Sequence, residues 1–314
     1  MLRIAFQMDP IETVDVNADT TFDIAMECMK RGHECWFYLP AALSLDPNGV
    51  RARGRRIEEL RRAQGEHVAL GAFEELDLHG FDVVFLRQDP PFDMAYITST
   101  HLLEHLQPKT LVVNDPASVR NAPEKLFVTR FKDLMPETLI SSDQARLIAF
   151  FEAYKDIIIK PLYGNGGAGV FRVRQGDENL TSLIELFTSQ SREPLIAQRY
   201  LPDIRNGDKR IILIDGEPVG AINRIPAEGE VRANLHVGGT AAETQLTKRD
   251  QEICTAIGPE LRERGLVFVG IDVIGDYITE INVTSPTGVQ ELRKLSGIDA
   301  SALLVDAVEA KARR

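Results

Sequence analysis

The run Leu266-Val267-Phe268-Val269-Gly270-Ile271-Asp272-Val273-Ile274-Gly275-Asp276-Tyr277-Ile278-Thr279-Glu280-Ile281-Asn282-Val283 reads as two apolar strands joined by a tight connection. Val267 to Ile271 holds no polar side chain, so the first strand expects burial on both faces. On the second, Glu280 and Asn282 share a face and Ile281 points the other way. Hard oxygen ligands then converge with no histidine or cysteine among them. Such a set suits magnesium, which takes one or two carboxylates and completes its shell with phosphate oxygens and water. Asp272 joins in only one register. A three-residue connection at Gly275-Asp276-Tyr277 sets Asp272 opposite Glu280, whereas a two-residue turn sets it opposite Thr279 and sends Glu280 to the other face. The metal site requires the first; without it the segment is a surface hairpin with polar alternation.

Upstream, Ile157-Ile158-Ile159-Lys160 ends an apolar run on a lysine. A surface lysine needs no such lead-in, but one aimed at phosphate oxygens from a rigid strand does. Tyr163-Gly164-Asn165-Gly166-Gly167-Ala168-Gly169 follows, and then a strand through Val170 to Val173. A Walker loop needs Gly-Lys-Ser/Thr entering a helix, and a dinucleotide fingerprint needs strand, loop and helix in that order. Neither fits a glycine loop between two strands. Amides freed at Gly164, Gly166, Gly167 and Gly169 suit a mobile hairpin lid over phosphate.

Ser142 with Asp143 caps a helix carrying Leu147, Ile148, Phe150 and Phe151, and Leu195-Ile196-Ala197-Gln198 is a strand. These segments form an α+β unit. It ends in Gln198-Arg199-Tyr200-Leu201, where backbone groups and apolar side chains can receive a planar base. Lys125 sits on a short predicted helix. Arg210 begins one strand and Arg224 ends its hairpin partner across Asp215-Gly216-Glu217, so both can reach one cleft and grip oxygens bidentately. Pro226 to Thr244 lacks apolar periodicity, and so long a loop in a compact domain is functional or disordered. Thr247 opens a helix to Arg264.

The first third alternates Leu2–Phe6, Cys35–Leu39, Phe81–Leu86 and Leu111–Asn114 with helical stretches around Phe22–Met29 and Tyr96–Leu106. This alternation predicts a parallel sheet flanked by helices. Binding groups gather where such strands end, and three ends are polar and proline-punctuated: Met8-Asp9-Pro10, Arg87 to Asp93, and Asn114-Asp115-Pro116. At 314 residues the chain expects two or three packed subdomains. No segment approaches the roughly 18 apolar residues that span a bilayer. The first residues do not resemble a secretory signal, and Cys28, Cys35 and Cys254 lack metal-ligand spacing, which reads as reduced thiols in the cytoplasm. A net charge of −11 opposes phosphate backbones and anionic lipid, so neither nucleic acid nor membrane is an expected partner. Arg51 to Arg62, which also carries Glu58, Glu59 and Leu60, reads as a solvated helix or a flexible connection.

Taken together, these residues resemble the ATP-grasp superfamily and, within it, the prokaryotic glutathione synthetase family. The resemblance runs along the whole chain: Met8-Asp9-Pro10-Ile11, Asp89-Pro90-Pro91-Phe92-Asp93, Asn121 to Phe127, Lys160-Pro161-Leu162, Gly207-Asp208-Lys209-Arg210, Phe268-Val269-Gly270, and Glu280 to Thr287. It implies an N-terminal α/β substrate domain over residues 1–121, a central ATP-grasp subdomain with the lid over 122–201, and a C-terminal subdomain with the metal site over 202–314. It implies that Lys125 and Lys160 contact ATP phosphates, that Gln198, Tyr200 and Leu201 flank adenine, and that Asp208 lies near ribose. Asp272, Glu280 and Asn282 would hold magnesium, with manganese as an alternative. Arg210 and Arg224 would stabilise the transferring phosphoryl group, and the loop carrying Arg232 and Asn234 would close over it. Arg232 would count with Arg210 and Arg224 as catalytic, Arg87, Asp89, Asn234, Ser285, Thr287 and Gly288 would bind γ-glutamylcysteine or glycine, and a homo-oligomer, a tetramer foremost, is implied. Gln88, Tyr163 and Gly288 stand where the family pattern more often carries a basic residue, an acidic residue and a cysteine. Other readings are an ATP-grasp ligase for D-alanine or glutamate and a non-catalytic nucleotide-binding module.

Overall fold

The computed structural model describes the chain except Asn165, Val231, residues 234–237 and Arg314. Four apolar runs of the first third, β1 (Arg3–Gln7), β2 (Glu34–Tyr38), and further on Val83–Leu86 and Leu111–Val113, pair in parallel as anticipated. The sheet is nevertheless mixed. It also takes in β3 (Leu43–Asp46), β4 (Gly49–Leu60) and β5 (Val68–Asp77), all antiparallel. With β6 (Val83–Leu86) and β7 (Leu111–Val113) it has seven strands, in the order β3-β4-β2-β1-β6-β7, with β5 on β4.

The arginine-rich segment is therefore a strand, not a helix or a connection. Val50, Ala52 and Gly54 alternate inward, and irregular pairing between Arg55 and Ile57 shifts the phase so that Ile57 is buried in turn. Small inward residues and that phase shift hide a period of two beneath the arginines. Gly54 is fixed by crowding, since a Cβ there would lie 2.8 Å from the Phe37 carbonyl oxygen.

The central unit is a four-stranded antiparallel sheet of β8 (Thr138–Ser141), β9 (Asp156–Pro161), β10 (Phe171–Arg174) and β11 (Leu195–Arg199), ordered β10-β9-β11-β8. Asp143 caps the helix Gln144–Tyr154 by accepting from the Ala145 and Arg146 amides. The third sheet, β14-β13-β12-β15-β16, comprises β12 (Asp208–Ile214), β13 (Glu217–Ile225), β14 (Thr240–Glu243), β15 (Phe268–Ile274) and β16 (Tyr277–Asn282). The loop expected to run from Pro226 to Thr244 thus ends in a strand, held by the β13 edge from Ile222 to Ile225. Thr247 caps the helix Lys248–Glu263 in a reciprocal capping box with Asp250.

The connection between β15 and β16 is not the three-residue one that the metal site was expected to need. Ile274 pairs with Tyr277 across a two-residue turn, and Val273 with Ile278, yet Asp272 pairs with Glu280. Thr279 is the extra residue. Its bulge shifts the phase by one and restores the required face, with the Thr279 hydroxyl donating to the Asp272 carbonyl at 3.2 Å.

Two core clusters each run from the first sheet into the third: Ala5, Trp36 and Leu86 share one with Ile211, Val269 and Ile281. Ile4, Phe6 and Val113 share the other with Ile212 and Phe268. The central sheet has a core of its own, built from Leu147, Ile157, Ile159, Val173, Ile184 and Ala197. The cleft lies between this separately packed unit and the rest. Among the described residues no helix is long and apolar enough to cross a membrane, and Cys28, Cys35 and Cys254 are buried and free.

Candidate active site

The cleft has a volume of about 730 Å³. Every residue singled out above for a site role lines it except the lid's Gly169, which stands back from it, and Asn234, which lies outside the described residues. β9 delivers Lys160, β12 Asp208 and Arg210, β13 Arg224, and the bulged β15–β16 hairpin delivers Asp272, Glu280 and Asn282. At the heart of the cleft Arg210 grips Asp272 with two hydrogen bonds, and Arg224 Nη2 bridges Asp272 at 3.0 Å and Asp208 at 2.5 Å. Lys125 and Lys160 stand 3.4 Å and 3.3 Å from Glu280 Oε1. Gly270 leaves room for this arrangement, because a Cβ there would come within 3.0 Å of Arg210 Cδ.

Burial raises the cost of every charge here, and the pairing answers it unevenly. Burial pushes the Asp272 carboxyl upward, but the guanidiniums of Arg210 and Arg224 outweigh it and hold the group well below the usual carboxylate range. For Glu280, Lys125 and Lys160 likewise outweigh burial and lower it. Asp208 goes the other way: burial dominates the pull of Arg224 and pushes it up to about 7. Glu124 was not singled out from the sequence; burial and the nearby Glu280 raise it, and it touches Lys125.

The lid glycines close over the cleft, with Gly166, Gly167 and Gly169 at positive φ. Lys125 Nζ donates to the Gly164 carbonyl at 2.6 Å and Arg232 Nη1 to the Gly167 carbonyl at 3.4 Å. Tyr200, Ile204 and Ala233 form an apolar wall with Ile158 and Ile274. Arg172, bidentate on Asp156, lies 3.5 Å from the Tyr200 ring centroid, and the Tyr200 amide donates to the Asp156 carbonyl.

At the other end Arg87 is buried. Its Nε donates to Thr21 Oγ1 at 3.0 Å and its Nη2 to the Pro286 carbonyl at 3.2 Å, while Nη1 has no partner among the described residues. Burial lowers its basicity. Ser285 Oγ donates to the Arg87 carbonyl and Arg210 Nη1 to that of Thr287, so both arginines pin the turn leading to Gly288. Thr21 and the nearby Asp19, which caps the helix Thr20–Lys30, were also missed; only their chain distance from Arg87 concealed them.

Residues 2–120 match the prokaryotic glutathione synthetase N-terminal domain, and residues 124–297 match the ATP-grasp domain of the same family. The chain belongs to the prokaryotic glutathione synthetase family. It is 59% identical over 310 residues to a glutathione synthetase of Brucella melitensis, covering 99% of each chain. To a glutathione synthetase of Escherichia coli it is 43% identical over 313 residues, again covering 99% of each. Among solved structures, D-cycloserine synthetase DcsG superposes with a TM-score of 0.68 at 14% identity, covering 98% of this chain and 99% of that one. The ATP-grasp ligase PsnB complexed with minimal precursor superposes at 0.66 and 18% identity, covering 99% of each chain. Both likenesses speak for the ATP-grasp fold alone. The enzyme is a glutathione synthetase, an ATP-dependent ligase.

Proposed function

We propose that the cleft joins glycine to the cysteinyl carboxylate of γ-glutamylcysteine through an acyl phosphate. The observation that carries this reading is the facing pair Asp272 and Glu280, hemmed by Arg210, Arg224, Lys125 and Lys160. Asp272, Glu280 and the Asn282 carbonyl form an oxygen-only donor set that fits Mg2+, or Mn2+ in its place. Among the described residues no group of three histidine, cysteine or carboxylate side chains is gathered as a metal site, so phosphate oxygens and water would complete the shell. When bound, the metal would supply charge neutralisation for the phosphates.

A carboxylate is a poor electrophile, so its oxygen first takes the γ-phosphoryl group of ATP and ADP leaves. The glycine amine then attacks the acyl carbon and phosphate departs. No protein nucleophile is needed, so positioning and electrostatics carry catalysis. Lys125 and Lys160 would hold phosphates beneath Gly164, Gly166 and Gly167. The segment from Gln198 through Tyr200 to Leu201 would receive adenine and Asp208 would meet the ribose. Arg210 and Arg224 would stabilise the phosphoryl group, and Arg232 with Asn234 would exclude water. The unpaired Nη1 of buried Arg87 suits a substrate carboxylate, with Asp89, Ser285, Thr287 and Gly288 around it. The proposal extends to units at 1–121, 122–201 and 202–314, to a homotetramer, and to action in the cytoplasm.

The test is phosphate release from ATP with each substrate omitted in turn. Release that requires both γ-glutamylcysteine and glycine is expected. Equal turnover with D-alanine or with glutamate would overturn the reading, as would nucleotide binding without turnover.

A further inference from the structure

We propose that Tyr163 is a positioning residue that ties the glycine lid to the acid-substrate side of the cleft, which rests on the reaction proposed above. Tyr163 directly precedes Gly164, at the root of the lid. Its ring lies 6.3 Å from that of Phe92, centroid to centroid, with the planes 20° apart. Phe92 in turn lies 5.2 Å from Tyr96. The buried Tyr96 is close enough to Arg87, Asp89 and Asp9 for their charges to bear on its hydroxyl. A chain of three rings thus leads from the lid toward the charged end of the cleft where Arg87 lies.

Phe92 is well placed to transmit a movement. The segment around it is anchored at both ends: the Asp89 amide donates to Asp9 Oδ2 at 2.8 Å, and Asp93 caps the next helix by accepting from the Tyr96 amide at 2.9 Å. Beneath the stack a void of about 20 Å³, lined by Pro90, Phe92, Leu162 and Tyr163 among others, leaves the rings room to settle. The lid's other tethers behave differently. Gly164 and Gly167 are held through their carbonyls by Lys125 and Arg232, both cations that phosphate oxygens would draw away. The Tyr163–Phe92 contact carries no charge and survives that exchange. In this proposal the contact keeps the root of the lid tied to the segment from Asp89 to Asp93 when the nucleotide draws the two cations away.

The experiment measures KM for γ-glutamylcysteine and the Kd of a non-hydrolysable ATP analogue with magnesium, by calorimetry without dipeptide. Wild type is compared with Tyr163→Ala, Tyr163→Leu, Tyr163→Phe, Phe92→Ala and the Tyr163→Ala/Phe92→Ala pair. Loss of the ring in Tyr163→Ala is expected to raise the dipeptide KM about three- to tenfold and leave the nucleotide Kd within about twofold. Tyr163→Phe, which keeps the ring, is expected to restore KM to within about twofold of wild type. The double variant is expected to be no worse than Phe92→Ala alone. Tyr163→Leu keeps the bulk without the ring and gives the same readout should the alanine variant melt early. An unchanged dipeptide KM, a KM change explained by weaker nucleotide binding, or additive effects in the double variant would overturn the proposal. Glutathione formation by wild type in the same assay reports separately on the reaction itself.

Discussion

Arg210 lies directly across β12 and β15 from Asp272, donating Nε to Oδ1 at 2.5 Å and Nη2 to Oδ2 at 2.9 Å. Both oxygens of the acid that would hold a metal are thus occupied by a guanidinium, and Oε1 of Glu280 is shared by two lysines. Each charge in the cluster stands in for a ligand. A buried pair stripped of one partner leaves an uncompensated charge, which typically costs about 3–5 kcal/mol.

Magnesium and ATP should therefore bind as mutually dependent partners. A metal alone must free Asp272 and leave the arginines unpaired; ATP alone must draw the lysines from Glu280 and leave a carboxylate unpaired. Calorimetric titration of ATP is expected to give a Kd at least about tenfold weaker in chelator than in magnesium, and coupling is reciprocal for the metal. Glu280→Ala should abolish most of that difference. Equal affinities in chelator and magnesium would refute the exchange.

Asp208 predicts a pH dependence of a definite sign. Burial raises its folded-state value to about 7, above that of an unfolded aspartate. Such a group contributes stability that is fully present below the ordinary carboxylate value and is lost as pH rises through about 7. Asp208→Asn cannot ionise and avoids this loss, with a constant offset from its weaker bond to Arg224. Melting of the ligand-free proteins from about pH 5 to pH 8 should shift in favour of the variant by several degrees. A gap that stays flat would mean that Asp208 is already ionised at the lower end.

How much of this was legible in the sequence differs by residue. Alternation along β16 placed Glu280 and Asn282 on one face, but the facing of Asp272 and Glu280 was legible only as a condition on the register, met by a different connection from the three-residue one it called for. That connection was not legible, because one bulged threonine leaves no mark in composition. β4 was misread for a related reason: arginine stems and a phase shift concealed Val50, Ala52, Gly54 and Ile57. Local signals served well, as with the Asp143 cap and the Thr247 capping box. Lys125 against Glu280, Thr21 on Arg87 and the Nη1 of Arg87, unpartnered among the described residues, depend on chain segments that meet only in the fold. No spacing rule reaches them.

Asn114 joins the first sheet to the third. Its Nδ2 donates to the carbonyls of Phe268 at 2.8 Å and Val283 at 2.7 Å, and its Oδ1 accepts from the Phe268 amide at 2.8 Å. Those backbone groups bracket the hairpin that carries the acids. Asn114→Ala would leave buried polar groups unpaired and should cost about 3 kcal/mol, read as a lower melting temperature. Asn114→Asp should not rescue it, since a carboxylate has no proton for either carbonyl. A loss below about 1 kcal/mol would mean that water replaces the amide.

Arg232 gives the last prediction, on water rather than on binding. It reaches the lid at the Gly167 carbonyl and is held from behind by Glu230 at 2.9 Å, yet it is only half-buried, so its removal should leave the fold intact. An acyl phosphate waiting for glycine is exposed to hydrolysis for as long as the cleft stays open. With γ-glutamylcysteine present, Arg232→Ala should release several phosphates per glutathione formed, where wild type releases about one, the stoichiometry that two-step transfer requires. Glycine at saturation should bring the ratio back toward one, because the amine then outruns water. A variant that slows both products in equal measure, with the ratio unchanged, would show that Arg232 serves phosphoryl transfer and not closure.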